Sequence, residues 1–299
     1  MAQPIGVLIN PTSGKGKGAS AGSQVFAALN ELDVASMDLS GKNFDESLAN
    51  ARAAVKAGSI RALLVVGGDG MVHLGVNACA KTNVPLAIVA AGTGNDAAST
   101  LHLPIDDVRG GVEAALAGLK SPRRVDLIQG STPEHSFYSF GTISAGFDAI
   151  VNAKANRMRF PKGPSRYQVA MVLELLRFKG IQYRVNVDGK ERELEAMLCA
   201  VANAPAFGGG MLIAPHAKVD DEKLDLFIVH KISRLELLKV FPKVFTGRHV
   251  THPAVEFVEL SSARIDSQGL PVYSDGEHVG SSPLEVQVAP GALWVCAPA

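Results

Sequence analysis

The feature that most constrains the fold is a repeated order of buried strand, glycine-bearing loop and helix in the first part of the chain. Three short apolar runs, at 5–9, 62–66 and 86–90, are each followed by a polar loop that contains glycine. A continuously apolar run of this length is typical of a strand that is covered on both faces. Helices are predicted for an Ala-rich stretch that ends at Leu32 and for residues 45–57, 72–81 and 108–119. This order predicts an α/β domain with a doubly wound parallel sheet.

From about residue 124 onward the predicted strands become shorter and richer in β-branched and aromatic residues. They are predicted at 137–143, 182–187, 195–201, 224–229, 255–260 and 284–288, with helices at 167–178 and 233–244. Asp188-Gly189 is typical of a hairpin turn, because these two residues tolerate positive φ. The sequence therefore predicts two domains, an α/β domain at 1–123 and a mostly antiparallel, β-rich domain at 124–299. Whether the last strand packs back toward the first domain stays open.

Composition excludes some classes of protein. Among 299 residues, 29 basic side chains balance 29 acidic ones, which argues against a nucleic-acid-binding protein that neutralises many phosphates. Three dispersed cysteines, Cys79, Cys199 and Cys296, lie in apolar runs and are predicted to be buried free thiols of a reducing compartment. Neither a signal peptide nor a membrane-spanning helix is visible, so we expect a cytoplasmic protein with at most a transient, peripheral membrane contact.

The three loops of the first domain suggest a site for phosphate groups. They are Asn10-Pro11-Thr12-Ser13-Gly14, predicted to continue as a loop to Ser20, then Gly67-Gly68-Asp69-Gly70, and Gly92-Thr93-Gly94-Asn95-Asp96. Ligands of open parallel sheets bind beyond the carboxyl ends of the strands, and glycine lets backbone N–H groups approach an anion. A carboxylate beside phosphates requires a cation, so Asp69 is a candidate ligand of Mg²⁺. Each loop alone is equally well explained as a tight turn, and the first does not fit the Walker pattern. Three on one sheet edge favour a binding site.

A pair of acids occurs late in the chain, at Asp275-Gly276-Glu277. Phosphoryl transfer needs positioning, charge neutralisation and a group that accepts the proton of the attacking hydroxyl, which a carboxylate can do. The same residues, preceded by Ser274, are also good β-turn chemistry. Taken alone, the turn is the better explanation.

The three loops resemble the nucleotide-binding motifs of the diacylglycerol kinase catalytic-domain family, which includes bacterial lipid kinases, sphingosine kinases and ceramide kinases. The resemblance continues through 207–211, 214–225, 247–249, 275–277 and 289–294. It implies an NAD kinase/diacylglycerol kinase-like first domain for the nucleotide, a second domain for the lipid substrate, and an active site in the cleft between them. The implied activity is transfer of a phosphoryl group from MgATP to a lipid hydroxyl at the membrane surface, with diacylglycerol the favoured acceptor. Homodimerisation stays open.

The resemblance also implies roles for single residues. Glu277 is the general base, and Asp275 and Asp69 assist catalysis. A structural Mg²⁺ is implied at Asp221 with the backbone carbonyls of Lys218 and Lys223. The ATP-binding residues are Asn10, Pro11, Thr12, Ser13, Gly14, Ser40, Gly67, Gly68, Asp69, Gly70, Thr93, Asn95 and Asp96.

Two departures from the family pattern stand out. Met71 and His73-Leu74 replace the usual threonine and Asn-Glu, which removes one hydroxyl contact to phosphate. Glu222 replaces a glycine and puts the structural metal in question.

Several alternatives stay open. The acceptor could be a sphingoid base or an acceptor of a mannosylated-lipid pathway; the protein could also be an NAD kinase or a non-catalytic nucleotide-binding protein. His73, His249 and His252 are interpreted as structural. A basic run, Lys154, Arg157, Arg159, Lys162 and Arg166, is either a solvated surface or a contact with an anionic membrane.

Overall fold

A computed structural model of the chain describes residues 3–10, 13–146, 150–151, 154–155, 157–158, 160, 169–170, 173–174 and 180–298. For residues 13–17 it describes the backbone alone. The named α-helices are α1 Ser13–Glu31, α2 Phe44–Lys56, α3 Asp69–Cys79, α4 Asp96–Thr100, α5 Val108–Leu119 and α6 Arg234–Val240. Two 3₁₀ helices follow α6, at Phe241–Thr246 and Arg248–Thr251.

Most of the strands lie in the second half of the chain. The first four are β1 Ile5–Ile9, β2 Ser36–Asp38, β3 Ala62–Gly67 and β4 Leu86–Ala90. The others are β5 Arg123–Ser131, β6 Ser136–Ser139, β7 Thr142–Ser144, β8 Ile181–Val187, β9 Lys190–Ala202, β10 Leu224–His230, β11 Val255–Leu260, β12 Ser262–Asp266, β13 Pro271–Ser274, β14 Glu277–Ser281 and β15 Leu284–Val295.

Packing divides the chain into two compact units. The first comprises Met1–Leu127, Val219–Asp221 and Ala289–Ala299, and the second comprises Ile128–Lys218 and Glu222–Val288. The chain therefore changes units inside β5 and again inside β15.

The first unit is built on a parallel sheet with the strand order β2-β1-β3-β4, and the end of β15 pairs beside β4. The sheet is covered on both faces. Val25 and Leu29 of α1 and Val112 of α5 belong to one core cluster with alternate residues of β1, β3 and β4. On α3, a Cβ at Gly75 would lie 2.9 Å from Val65 Cγ1, so this helix packs directly against the sheet residues that the cluster omits. The predicted doubly wound sheet is confirmed.

The second unit is mostly antiparallel, as predicted. Its strands follow the order β14-β13-β7-β9-β8-β12, ending with the first part of β15, and β10 pairs with β9 and β11. Two core clusters lie on opposite faces of β9. Val201 belongs to one, whereas Met197 and Ala200 belong to the other, which is covered by the loop at 203–217 and by α6. The predicted hairpin at Asp188-Gly189 is confirmed, with φ of 46° and 86°.

Three sequence predictions of elements are corrected. The loop predicted from Asn10 to Ser20 is wrong beyond residue 12, because α1 begins at Ser13. The strand predicted at 137–143 is two strands, β6 and β7, since the chain turns at Phe140-Gly141, where both backbone N–H groups donate to Asp275. The helix predicted at 233–244 changes to 3₁₀ geometry after Val240, because Pro242 has no N–H for an α-helical bond. Most of the helix predicted at 167–178 lies outside the described residues.

The three cysteines are free and buried, as predicted. Burial raises the pKa of the Cys79 and Cys296 thiols to about 12, with a further contribution to Cys79 from the charge of Cys296. Both are therefore protonated core residues without nucleophilic character. None of the helices in the described part of the chain combines the length and hydropathy needed to span a bilayer.

Candidate functional site

The three glycine-bearing loops lie side by side at one edge of the first unit, because they follow three neighbouring strands. Ile9 at the end of β1 pairs with Val66 of β3, and Gly67 at the end of β3 pairs with Ala90 of β4. The pairing extends just beyond the strands, where Ala91 N–H donates to the Gly67 carbonyl at 2.9 Å. The β2-β1-β3 order also makes β1 and β3 the point where the order reverses, which is where open α/β sheets bind ligands.

The second and third loops touch through their backbones. A Cβ on Gly92 would lie 2.2 Å from Gly68 Cα and 2.7 Å from Gly68 N. No side chain larger than hydrogen fits at residue 92 while the two loops keep this distance. The loops can therefore present their N–H groups together.

Asn95 closes the third loop on itself. Its Oδ1 accepts from Gly92 N–H at 3.0 Å, and its Nδ2 donates to the Gly92 carbonyl at 3.1 Å. The residue is buried and has φ of 56°, a conformation that asparagine tolerates well. The Asn95 side-chain amide therefore stabilises the loop. Thr93, in the same loop, is exposed and can reach a ligand. Asp96, half-buried, begins α4 directly afterwards.

Asp69 connects the second loop to the third. It is the first residue of α3 and is half-buried, and its Oδ1 accepts from Ala97 N–H at 3.3 Å. The carboxylate therefore lies between the first turns of α3 and α4, with Gly70 following in the first turn of α3. A phosphate bound there would face an acidic side chain, which is the arrangement that a divalent cation bridges.

The first loop is shorter than predicted. Asn10 follows β1, and its N–H lies 3.5 Å from the Val66 carbonyl. Ser13 and Gly14 form the first turn of α1, whose N-terminus attracts anions through free N–H groups and the helix dipole. Pro11 and Thr12 lie outside the described residues, as do the side chains of residues 13–17.

Ser40 belongs to the same edge, after β2. Its Oγ accepts from Ile9 N–H at 3.0 Å, and its own N–H donates to Asp38 Oδ1 at 2.9 Å. The hydroxyl therefore holds the end of β1 next to Asn10.

The residues that replace family motifs in α3 are packed into the first unit. Met71 and His73 are 7% and 5% exposed. The His73 ring stacks on Phe44 with centroids 6.4 Å apart, and Asn77 Nδ2 donates to the His73 carbonyl at 2.9 Å. These contacts agree with the structural interpretation of His73.

Asp275 and Glu277 lie on the β13–β14 hairpin of the second unit. Asp275 and Gly276 have φ of 50° and 88°, so the two-residue turn has positive φ at both positions, and Ser274 pairs with Glu277 across it. Glu277 is the first residue of β14 and is exposed. A short hairpin of this kind holds the Glu277 backbone firmly while leaving its carboxylate in solvent.

The carboxylate of Asp275 orders a neighbouring turn. Oδ2 accepts from Ser139 Oγ at 2.8 Å and Phe140 N–H at 3.0 Å, and Oδ1 accepts from Gly141 N–H at 2.9 Å and Thr142 N–H at 3.0 Å. Both oxygens are thus engaged by the chain between β6 and β7. This geometry favours a positioning role for Asp275.

The residues predicted to hold a structural metal are exposed. Lys223 Nζ forms an ion pair with Glu259 Oε1 at 2.8 Å. Glu222 has φ of 62°, the left-handed conformation that a glycine would adopt without strain. In the described part of the chain no group of three His, Cys, Asp or Glu side chains could hold a metal. A site that uses carbonyls of Lys218 and Lys223 with Asp221 stays a prediction.

Sequence reasoning missed an apolar pocket within the second unit. Its volume is about 100 Å³, and its wall is almost entirely hydrocarbon and aromatic. Residues that line it are Met197, Leu198 and Ala200 of β9, Phe227 and Val229 of β10, Phe207, Met211 and Ile213 of the loop, Leu237, Leu238, Val240, Phe241 and Val244 of the helical segment, and Thr142, His249 and Val255. The available signal was the helical stretch 233–244, which is apolar on more than one face.

Two polar side chains interrupt the apolar wall of this pocket. Buried His249 lies with Nε2 3.0 Å from the Ile213 carbonyl, which assigns the ring proton to Nε2. Burial lowers the His249 pKa, against the opposing effect of that hydrogen bond, so the ring is neutral at pH 7. Thr142 lines the pocket, and its backbone N–H donates to Asp275 Oδ1. Thr142 thus connects the wall of the pocket to the turn that precedes Glu277.

Comparisons with known proteins match both halves of the chain. Residues 4–129 match the family model of the diacylglycerol kinase catalytic domain, and residues 141–297 match that of the YegS C-terminal NAD kinase beta sandwich-like domain. A diacylglycerol kinase of Mycobacterium tuberculosis (strain H37Rv) is 34% identical over 296 residues, which cover 98% of this chain and 95% of the relative. A protein of Chromohalobacter salexigens, named probable lipid kinase YegS-like, is 30% identical over 83% of this chain and 79% of its own length.

Solved structures agree on the fold. A crystal structure of a diacylglycerol kinase from Bacillus anthracis str. Sterne superposes with a TM-score of 0.72 at 17% identity, over 99% of this chain and 97% of the other. The family models together span nearly the whole chain, and the Mycobacterium relative matches it almost end to end. The chain therefore belongs to the diacylglycerol kinase catalytic-domain family, in the form that carries a YegS-type C-terminal domain.

Proposed function

We propose that the protein is a lipid kinase that transfers the γ-phosphoryl group of MgATP to the hydroxyl group of diacylglycerol, giving phosphatidic acid. Membership of the family supports the lipid kinase activity. The observation that carries the choice of a lipid acceptor is the apolar pocket of the second unit, which is lined by Thr142 beside the Asp275 turn. A hydrocarbon wall of this kind binds an acyl chain and excludes a polar acceptor such as NAD.

The first unit is assigned to the nucleotide. The N-termini of α1 and α3 and the touching loops at Gly68 and Gly92 offer N–H groups to phosphate oxygens. Thr93 and the residues that follow β1 would complete the phosphate contacts. These groups position the phosphates and compensate their charge, which is most of what phosphoryl transfer asks of a protein.

The residues present also fit a divalent metal that arrives with ATP. Mg²⁺ is usually held by one or two carboxylates together with substrate phosphates, and Asp69 offers one carboxylate at the helix ends where phosphates would bind. When bound, the ion neutralises charge on the phosphates. Asp69 would hold that ion while its Oδ1 accepts from Ala97 N–H of α4.

The second unit is assigned to the acceptor. The pocket would hold a hydrocarbon chain, with the hydroxyl end of the lipid toward Thr142 and the Asp275 turn. Glu277, exposed on its short hairpin, would accept the proton of that hydroxyl as it attacks the γ-phosphorus. Asp275 would keep the hairpin and the chain at 139–142 in one arrangement.

Diacylglycerol is favoured over other lipids by the Mycobacterium relative, which is named for that activity and matches 98% of this chain. The YegS-like relative keeps other lipids as competitors. A sphingoid base has a single long chain and a cationic amine, and no acidic side chain lines the described pocket to receive that amine.

The test is a transfer assay with labelled ATP, Mg²⁺ and a panel of acceptors in mixed micelles: diacylglycerol, monoacylglycerol, sphingosine and, without micelles, NAD. Diacylglycerol should give the highest kcat/KM. Glu277→Gln should lower kcat by about 10²- to 10⁴-fold with little change in the KM for ATP, as expected for loss of a general base. The matched control is Glu191→Gln, an exposed acid on another hairpin of the same unit. Labelling of NAD alone, or full activity of Glu277→Gln, would refute the proposal.

A further inference from the structure

The segment that covers the apolar pocket has two apolar faces. We call residues 233–251 the roof segment; it comprises α6 and the two 3₁₀ helices that follow. Leu237, Val240, Phe241 and Val244 form its inner face and line the pocket. Their spacing of three or four residues is that of one helix face, so the inner face alone accounts for the packing of this segment on the sheet.

The outer face of the roof segment exposes large apolar side chains as well. Leu235 is 73% exposed, Phe245 is 48% exposed and Leu238 is 45% exposed. Leu235 and Leu238 are three residues apart, so they are neighbours on the helix surface. Leu238 also lines the pocket, so the same side chain faces both the pocket and solvent. Adjacent exposed apolar side chains on a polar protein surface mark an interaction site.

The charged side chains around these apolar residues are mostly basic. Arg234, Lys239, Lys243 and Arg248 are exposed, and Glu236 is the single acidic residue of the roof segment. Glu236 Oε1 lies 3.4 Å from His252 Nε2. Since basic and acidic residues balance over the whole chain, this excess of positive charge is local.

Interleaved basic and apolar residues on one surface fit an anionic bilayer better than a second copy of this chain. In a two-fold symmetric dimer the same patch would meet itself, which would bring the four basic side chains against each other. At a bilayer the apolar side chains enter the acyl region while the cations meet anionic headgroups. The positive charge of this surface therefore favours an anionic membrane over a second copy of the chain as its partner.

We infer that the outer face of the roof segment docks on an anionic lipid bilayer, with Leu235, Leu238 and Phe245 inserted below the headgroups and the basic side chains at headgroup level. A lipid then reaches the pocket beneath Leu238 without passing through water; this last step rests on the proposed function, whereas the docking does not. None of the residues that carry this docking belongs to the basic run at 154–166. There Lys154 is paired with Glu174 at 3.1 Å, and Arg159, Lys162 and Arg166 lie outside the described residues.

Vesicle co-sedimentation of the full chain tests the docking. The wild type should bind phosphatidylcholine vesicles that contain phosphatidylglycerol and not vesicles of phosphatidylcholine alone. Leu235→Ser with Phe245→Ser, and separately Lys239→Glu with Lys243→Glu, should each weaken binding roughly tenfold or more, given about 1 kcal/mol per charge near such a surface. Matched controls are Leu32→Ser with Met37→Ser, and Lys120→Glu with Lys190→Glu, all exposed positions outside the roof segment. Equal binding of roof and control variants would overturn the inference.

A fluorescent reporter gives the depth of insertion directly. Phe245→Trp places an indole at an exposed position of the roof segment, and its emission should shift to the blue when anionic vesicles are added. The one native tryptophan, Trp294, belongs to the first unit and supplies the background measured on the wild type. An unchanged emission maximum with bound vesicles would place the contact elsewhere and refute the docking surface.

Substrate presentation separates this inference from the proposed function. With diacylglycerol in anionic vesicles, the Leu235→Ser/Phe245→Ser variant should lose activity, and with a short-chain, water-dispersed diacylglycerol it should keep that of the wild type. If no lipid is phosphorylated by the wild type, the proposed function fails while the vesicle binding still decides the docking. If the roof variants alter the molar mass measured by light scattering and leave vesicle binding intact, the surface is a contact between copies and the inference is wrong.

Discussion

A single carboxylate, that of Asp275, determines the local structure around Glu277. Its two oxygens accept four hydrogen bonds from residues 139–142, three of them from backbone N–H groups. Hydrogen bonds to an ionised acceptor are about twice as strong as neutral ones. The residue therefore stabilises the turn between β6 and β7 and the hairpin with Glu277 at the same time.

Asp275→Asn should destabilise the protein by about 2–4 kcal/mol, because an amide offers one acceptor oxygen and, in either orientation, turns its NH₂ group toward at least one backbone N–H donor. Asparagine tolerates the positive φ at this position, so the backbone is not the cause of the loss. Urea unfolding measures the change, and Glu277→Gln serves as the comparison, since its exposed side chain should leave stability nearly unaltered. A stable Asp275→Asn protein with a changed requirement for Mg²⁺ would instead indicate a metal ligand.

His249 should make the stability of the second unit depend on pH. Burial lowers the pKa of its imidazole below the ordinary value near 6.5. Below about pH 6.5 the unfolded chain binds this proton more readily than the folded one, so the stabilisation is complete above that pH. It is lost as pH falls toward the folded-state pKa, at a slope of at most about 1.4 kcal/mol per pH unit for one proton.

His249→Gln keeps an N–H donor for the Ile213 carbonyl and removes the titration. The free energy of unfolding of the wild type should decline relative to this variant between pH 6.5 and 5, and the two should run parallel above pH 7. A constant difference over the whole range would show that His249 does not titrate between the two states.

At the residue scale, the sequence predicted the local backbone conformation better than it predicted which groups a side chain contacts. Ser-Asp-Gly-Glu predicted the turn correctly, because the requirement for positive φ is local. It could not predict that the Asp275 carboxylate binds the chain at residues 139–142, since those contacts depend on the pairing of β13 with β7. The same holds for Asn95 and Ser40, whose polar groups hold backbone in the structure.

At the scale of elements, the predictive information lay in the apolar runs and their order. The runs at 5–9, 62–66 and 86–90 all became strands of the first unit, so the adjacency of the three loops followed from the sequence. The start of α1 did not, because glycine and serine have low intrinsic helix propensity, and tertiary packing of Val25 and Leu29 outweighs it. Residues 233–244 of the roof segment were predicted as a helix, but which of its apolar faces covers a pocket became evident only from the structure.

Gly92→Ala tests the contact between the second and third loops. The added methyl would lie 2.2 Å from Gly68 Cα, and since this neighbour is backbone, the loops themselves must separate. We expect the KM for ATP to rise tenfold or more and the stability to fall by about 1–3 kcal/mol. The KM for the lipid should change little.

The matched control for this substitution is Gly111→Ala on α5. There the new Cβ would lie 3.3 Å from Val89 Cγ1, a side-chain contact that can relax, and alanine favours the helix. Its kinetic constants should equal those of the wild type. If Gly92→Ala also keeps the kinetic constants of the wild type, the nucleotide does not bind at these loops.

At the scale of the whole molecule, the two units are not consecutive stretches of sequence. The first unit needs residues 289–299, whose contacts are spread over several of its elements. Gly291 N–H donates to Asp126 Oδ1 at 2.7 Å, Lys81 N–H donates to the Ala292 carbonyl at 2.7 Å, and Cys296 N–H donates to the Leu86 carbonyl at 2.9 Å. Sequence patterns indicated two kinds of domain, but not that the final strand, β15, belongs in part to each unit. The apolar pattern of a strand does not determine which other strand it pairs with.

This sharing affects synthesis of the protein. The α/β part at 1–127 is synthesised before the β-rich part, yet it lacks its closing strand until the end of β15 has been made. The usual order, in which the leading domain folds before the next, should therefore be reversed here. Pulse proteolysis of a chain that stops at Val288 should find the second unit protected and the first unit cleaved, whereas a chain lacking only Pro298 and Ala299 should resist throughout. Protection of the first unit in the shorter chain would mean that it folds as soon as it is made.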